Sequence, residues 1–160
     1  MKLNRLFLLL FIVNLFYVFG NAQTIDEIRA MHNEVPDDPY VPVDKSRMAR
    51  TPAYNVRTPN FYTTQVNVDA NGDNIVGDAG NEPSLAIDPL NPNRIVIGWR
   101  QFDIISNNFR QAGYGYSLDG GFNFTFPGVL DAGNFRSDPV LDFDKDGNFY
   151  YNSLQGSFAC

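Results

Sequence analysis

Two acidic residues that each precede a proline are the first candidates for chemistry in this sequence. Glu82-Pro83 and Asp138-Pro139 begin two similar segments that are 56 residues apart. If the fold places these two carboxylates together at the mouth of a channel, they could bind a cation, hold the hydroxyl groups of a sugar, or act as general acid and base. Alternatively, each carboxylate caps a neighbouring backbone N–H group as part of a repeated architecture. Both interpretations require elements that place the two segments in equivalent positions.

A second acidic cluster follows the second of these segments. The spacing of Asp142, Asp144 and Asp146 matches the first half of an EF-hand loop, which would make calcium the ligand. Ser153 stands at the twelfth position, where such loops carry a bidentate glutamate. Asp146-Gly147 is also a favourable hairpin turn. The segment is therefore predicted to be a hairpin turn, with calcium as the alternative, and no other cofactor is expected.

The single histidine and the single cysteine offer little chemistry. His32 has neither a second histidine nor a pair of cysteines in the sequence, so a zinc site or a catalytic triad built on it is not expected. Cys160 is the last residue. The sequence on its own identifies no catalytic residue.

The elements that must position these groups are predicted to be strands. After residue 61, short apolar stretches alternate with polar residues and are separated by turns rich in Gly, Asn, Asp and Pro. No stretch there has a helical period, so the domain is predicted to be all-β. The predicted strands cover residues 64–68, 84–87, 94–100, 112–117, 122–126, 140–143 and 149–153.

An internal repeat organises these strands. Residues 81–88 (NEPSLAID) align with residues 137–144 (SDPVLDFD): an acid precedes proline in both copies, and leucine follows two residues beyond that proline. Four predicted strands separate the two starts. A four-stranded unit that repeats in this way is typical of a β-propeller blade. Chance similarity within a β-sandwich is the alternative.

Residues 117–124 (SLDGGFNF) have the form Ser-x-Asp-x-Gly-x-x-aromatic. This motif resembles the Asp box, or BNR repeat, of sialidase-like β-propellers, with Ser117, Asp119 and Gly121 matching and Phe124 in place of the usual tryptophan. Residues 81–99 are also similar to the opening of blades in secreted sialidase-like bacterial proteins. In a strand–turn–strand, Asp119 is expected to accept hydrogen bonds from the turn and Gly121 to adopt a positive φ.

The resemblance covers roughly residues 65–154 and implies a partial propeller of about one and a half to two four-stranded blades. It implies a secreted exo-α-sialidase or related glycoside hydrolase, or else a non-catalytic propeller that binds glycan or protein at the cell surface. In that family the Asp box is a structural turn away from the active site, so Ser117 and Asp119 are not expected to be catalytic. The family's three arginines and Tyr–Glu pair have no counterpart that can be placed here. A calcium-stabilised β-domain of another fold is a third possibility.

The start of the chain predicts export. Residues 1–22 carry Lys2 and Arg5, then an apolar run, then small residues before a cleavage site, which are the three parts of a secretory signal peptide. An uncleaved anchor is the alternative. Residues 23–60 contain five prolines and are predicted to be a leader or linker, with a short helix over residues 24–31.

The net charge limits which partners are expected. The formal net charge is −6, and cleavage of the signal removes two cations, so the surface repels nucleic acid. Extracellular glycans or proteins are the expected partners, with no membrane span left after cleavage.

Residues 61–160 supply under two blades, whereas a closed propeller takes about four to eight. We therefore expect the N-terminal part of a longer protein, with self-association of a short one as the alternative.

Overall fold

A computed structural model describes residues 37–156 together with Thr24 and Asp26. The chain divides into two compact units, Met1–Pro36 and Asp37–Cys160. Only Thr24 and Asp26 are described in the first unit. The second unit contains all the elements discussed below.

Several predictions fall on parts of the chain that the structure does not describe. These are the signal peptide over residues 1–22, most of the helix over residues 24–31, and the positions of His32 and Cys160. Within the described residues, none of the helices has the length and apolar character needed to cross a membrane.

The second unit is built from antiparallel β-sheets. The strands are β1 Arg50–Pro52, β2 Asn55–Arg57, β3 Tyr62–Thr64, β4 Asp73–Ile75, β5 Ala79–Ile87, β6 Ile95–Phe102, β7 Gln111–Ser117, β8 Thr125–Leu130, β9 Ser137–Phe143 and β10 Phe149–Leu154. Within residues 37–156, a four-stranded sheet has the order β5-β6-β7-β8, and three two-stranded sheets pair β1 with β4, β2 with β3, and β9 with β10. A short 3-10 helix, Lys45–Arg47, precedes them. The all-β prediction is therefore confirmed for residues 37–156.

The centre of the four-stranded sheet is organised by Trp99, whose side chain is only 4% exposed. A Cβ added at Gly80 would lie 2.5 Å from the indole Cδ1, and one added at Gly113 would lie 2.6 Å from the indole Nε1. The strands on either side of β6 therefore carry glycine where the indole packs on their backbones. Phe126 of β8 extends this packing, with its ring centroid 5.1 Å from that of Trp99.

The β9–β10 sheet packs on one face of β5 and β6. The backbone N–H of Leu141 donates to Ser84 Oγ at 2.9 Å. A Cβ added at Gly98 would lie 2.5 Å from Leu141 Cδ1 and would also collide with the ring of Tyr151. Gly98 therefore allows the close approach of the two sheets, and Leu141 is buried between them.

The segment before residue 61 is attached to the sheets by ion pairs. Arg110 donates to both carboxylate oxygens of Asp37, at 2.6 and 2.8 Å. Arg50 Nε donates to Asp69 Oδ2 at 2.8 Å. Residues 37–60 are thus part of the same compact unit as the four-stranded sheet.

Some strand boundaries differ from the prediction. The strand expected over residues 122–126 begins at Thr125, because a hydrogen-bonded turn occupies residues 118–124. The strand expected over residues 64–68 does not form: β3 ends at Thr64, and Val68 makes an isolated bridge. Strands β1, β2 and β4 were not predicted. Each has three residues, too few for an alternating pattern to be recognised.

Candidate functional site

The two acid–proline segments have the same backbone geometry. Within β5 the pairing register shifts around Glu82-Pro83, and within β9 it shifts around Asp138-Pro139. The extra residue is a β-bulge, which also removes the proline from the hydrogen-bonded ladder. Glu82 and Asp138 have positive φ values of 50° and 48°. A left-handed conformation is uncommon for a residue other than glycine, so the same strained detail occurs in both sheets.

The partners of the two acids are side chains. Glu82 is 51% exposed and forms an ion pair with Arg100, whose Nε also donates to Asn81 Oδ1 at 2.8 Å. The hydroxyl of Ser137 donates to Asp138 Oδ1 at 2.6 Å. These contacts differ from the backbone capping considered as the alternative. Both acids lie near the start of a strand, at corresponding ends of their sheets.

The Asp-box residues form a closed hydrogen-bonded turn between β7 and β8. The buried hydroxyl of Ser117 donates to Asp119 Oδ1 at 2.8 Å, and its oxygen accepts from the N–H of Gly121 at 2.9 Å. The N–H of Asn123 donates to Asp119 Oδ1 at 3.0 Å, and its side-chain amide donates to Oδ2 at 2.7 Å. The hydrogen bonds from Asn123, followed by that from Ser117, lower the pKa of Asp119 to about 2. Gly121 has a φ of +90° and contacts the Phe124 ring.

The turn between β9 and β10 repeats this chemistry. Asp144 Oδ1 accepts from the N–H groups of Asp146 and Asn148, both at 2.9 Å. Asp144 Oδ2 accepts from the Asn148 amide and the Tyr150 hydroxyl, both at 2.8 Å. The hydrogen bonds from Asn148, its side chain first, lower the pKa of Asp144 to about 2. A carboxylate that accepts from the N–H four residues later is thus common to both turns.

The three acids considered for calcium are directed to different partners. Asp142 Oδ1 accepts from the N–H of Phe143 at 2.8 Å, and Asp146 pairs with Lys145 at 2.7 Å. Asp144 is occupied by its own turn. In the described part of the chain there is no group of three or more His, Cys, Asp or Glu residues that could hold a metal ion. The arrangement is that of a hairpin turn, and calcium binding by these three acids stays a prediction.

A polar network that the sequence did not reveal lies at the end of the four-stranded sheet where β5 and β7 begin. Lys45 Nζ contacts Asp78 Oδ2 at 2.7 Å and Asp103 Oδ1 at 2.8 Å, and the side chain of Asp78 is 0% exposed. Burial by itself lowers the pKa of Lys45. The hydrogen bonds with Asp103 and Asp78 outweigh burial, so the pKa of Lys45 is raised and the ammonium stays charged.

Two buried glutamines hold this network in place. Gln101 is 0% exposed; it donates to Asp78 and accepts from the indole N–H of Trp99 at 2.6 Å. Gln111 is 1% exposed and donates to Asp103 Oδ2 at 2.7 Å. A buried amide is stable only when its hydrogen bonds are made. The glutamines therefore fix both carboxylates that face Lys45.

A weak sequence signal for the glutamines exists. They stand at inward positions of two strands that otherwise bury small or apolar residues. A polar residue at such a position requires a buried partner. No comparable signal marks Lys45, which lies in the proline-containing segment before the strands.

A cavity of about 310 Å³ lies beside Lys45. It has both polar and apolar walls and includes Asp103, Gln111 and Phe126. A second cleft, of about 340 Å³, separates β7 from β10 and is lined mainly by aromatic and aliphatic side chains. The tyrosines of this second cleft are Tyr114, Tyr116, Tyr150 and Tyr151.

The chain was compared with protein-family models, with curated proteins and with solved structures, and no match was found. The function is therefore inferred from the residues and the geometry described above.

Proposed function

We propose that this chain contributes blades to an exported, sialidase-like β-propeller that recognises extracellular glycans. The observation that carries the proposal is the repeated bulge. Glu82-Pro83 and Asp138-Pro139 share the register shift, the left-handed acid and the place at the start of a hairpin-forming strand. Two sheets that share such a costly backbone detail are best explained as copies of one structural unit.

The orientation of two equivalent leucines supports a propeller over a sandwich. Gly98 contacts Leu141 of the second sheet, and Leu85 pairs with Ile97, the neighbour of Gly98. Because side chains alternate along a strand, Leu85 lies on the face away from the second sheet, and it is 52% exposed. Leu141 faces the first sheet, whereas Leu85 faces away from the second sheet. The two leucines therefore point in the same direction from one sheet to the next, as side chains of successive propeller blades do. In a two-sheet sandwich both would face one shared core.

The position of the Asp box indicates which end would bind glycan. Its turn follows β7, whereas Glu82, Asp138 and the Lys45 network lie at the opposite end, where β5 and β9 begin. The resemblance to sialidase-like propellers implies a ligand face away from the Asp boxes. The partly exposed Glu82 carboxylate beside Arg100 supplies acceptors and donors for sugar hydroxyl groups.

A glycan array probed with the purified full chain tests this proposal. The double variant Glu82→Gln, Asp138→Asn should lose at least about tenfold in apparent affinity for the glycans that the unaltered protein binds. Asp146→Asn is the control, because Asp146 is 65% exposed at the other end of the sheet and pairs only with Lys145 among the contacts described. Absence of glycan binding by the unaltered protein, or equal loss in the control, would overturn the proposal.

Hydrolysis of sialosides is the second candidate function. It is supported by the resemblance of the structural turn at Ser117 and Asp119 to the Asp box of sialidase-like propellers. The full product of the gene should be assayed with a fluorogenic sialoside. Turnover supports an exo-α-sialidase. Glycan binding without turnover supports a non-catalytic propeller that serves as a binding or structural module at the cell surface.

A further inference from the structure

The cavity beside Lys45 combines an apolar wall with a polar one. Its volume is about 310 Å³, within the range of pockets that hold small ligands. Phe126 and Val129 of β8 form part of the apolar wall, and Lys45, Asp103 and Gln111 form the polar wall. A sugar ring has the matching character, since its C–H face is apolar and its hydroxyl groups both donate and accept.

The polar wall is held in place by hydrogen bonds among its own side chains and by one from Gly133, outside the lining. Asp103 Oδ1 is fixed by Lys45 at 2.8 Å and Oδ2 by Gln111 at 2.7 Å. Gln111 is fixed in turn by the N–H of Gly133, which donates to Oε1 at 2.8 Å. Each oxygen of Asp103 retains a further lone pair that a hydroxyl group could use. A ligand would therefore meet acceptors that need no reorganisation, which favours binding.

Lys45 supplies a donor to the same wall. Within the described residues, two of its three N–H groups are engaged by Asp78 and Asp103, which leaves the third for a ligand. Its Nζ lies 5.7 Å from the centroid of the Phe126 ring, so this donor stands beside the apolar wall. Donor, acceptors and an aromatic ring thus converge on one space.

The charges that face the cavity exclude a strongly anionic ligand. The ammonium of Lys45 is already balanced by Asp78 and Asp103, and the other acid of the lining, Asp69, is paired with Arg50. An incoming carboxylate would meet two carboxylates of the lining and would compete with them for one cation. A neutral ligand meets no such repulsion.

We propose that this cavity binds a neutral pyranose unit of an extracellular glycan. The inference rests on the proposed glycan-binding function. It assigns an uncharged sugar unit of the bound glycan to this cavity. The acids Glu82 and Asp138 lie outside the lining of the cavity. The two sites can therefore be tested separately.

The test uses the full chain on an array of neutral and sialylated glycans. Ala132→Phe places a ring in the cavity from an exposed lining position that takes no part in the Lys45 network. Leu118→Phe is the matched control, because Leu118 is 67% exposed in the Asp-box turn at the opposite end. Fluorescence of the single tryptophan, Trp99, verifies folding of each variant.

The expected result is binding of neutral glycans that falls at least about tenfold in Ala132→Phe and is unchanged in Leu118→Phe. Binding that is lost in the Glu82, Asp138 double variant but retained in Ala132→Phe would overturn this inference and leave the proposed function intact. Binding restricted to sialylated termini would do the same. No binding of any glycan by the unaltered protein would overturn both.

Discussion

Gly98→Ala tests the packing of the two sheets on which the repeat interpretation depends. The added methyl group would lie 2.5 Å from Leu141 Cδ1 and would collide with the ring of Tyr151. Overpacking of this kind costs about 1–3 kcal/mol. Alanine at a glycine position without backbone strain otherwise stabilises a protein by about 0.4–1 kcal/mol. We therefore expect a net loss of about 1–2 kcal/mol in the free energy of unfolding.

A double-mutant cycle shows whether the loss arises at the sheet interface. Tyr151→Ala removes the ring that the methyl group meets, so the combined variant should be more stable than the sum of the single effects by about 1 kcal/mol. Tyr150→Ala is the matched control. Tyr150 is the neighbouring residue, is 57% exposed and lies on the other face of β10, so its effect should add to that of Gly98→Ala.

Urea unfolding measures all of these variants, with Trp99 as the fluorescent probe because it is the single tryptophan and is buried in β6. The interpretation is refuted if Gly98→Ala leaves stability unchanged or raises it. Equal coupling of Gly98→Ala to Tyr150 and to Tyr151 would also refute it, because the ring that the added methyl group meets is that of Tyr151.

Three further outcomes are expected. Ser117→Ala removes a buried hydroxyl that makes hydrogen bonds within the Asp box, and urea unfolding should show a loss of about 1–3 kcal/mol. Because the pKa values of Asp119 and Asp144 are lowered to about 2, the stability they provide is present above about pH 4 and is lost as the pH falls towards 2. Asp119→Asn should make the urea midpoint less dependent on pH in that interval, and an unchanged dependence would contradict the assignment. Lys45→Met leaves the buried Asp78 without its cation and should cost about 2 kcal/mol, whereas retained stability would show that Lys45 does not anchor the segment.

The sequence by itself determined features that depend on residues close together in the chain. The Asp-box turn is one, since Ser117, Asp119 and Gly121 interact over four residues. The all-β class is another, because alternation and turn residues are local signals. The acid–proline repeat was visible for the same reason, although its left-handed acids at Glu82 and Asp138 were not expected.

Local spacing was ambiguous where one pattern of residues is compatible with two different local structures. The pattern of Asp142, Asp144 and Asp146 is compatible with a calcium loop and with a hairpin. In the structure Asp144 accepts hydrogen bonds from N–H groups of its own turn and from the Tyr150 hydroxyl, and calcium binding there stays a prediction. Which partner a carboxylate takes depends on the backbone path, and the residue types alone do not specify that path.

Only the tertiary structure decided the Lys45 network and its cavity. Lys45 meets Asp78, 33 residues later, and Asp103 lies further along the chain. Many acids in the sequence could have paired with this lysine. Lys45 pairs with Asp78 and Asp103 because the start of β5 and the end of β6 bring these two carboxylates together. Gln101 and Gln111 are buried there, and their side-chain amides need the hydrogen bonds that they donate to the two carboxylates. Contacts over such distances arise from packing, which no local pattern encodes.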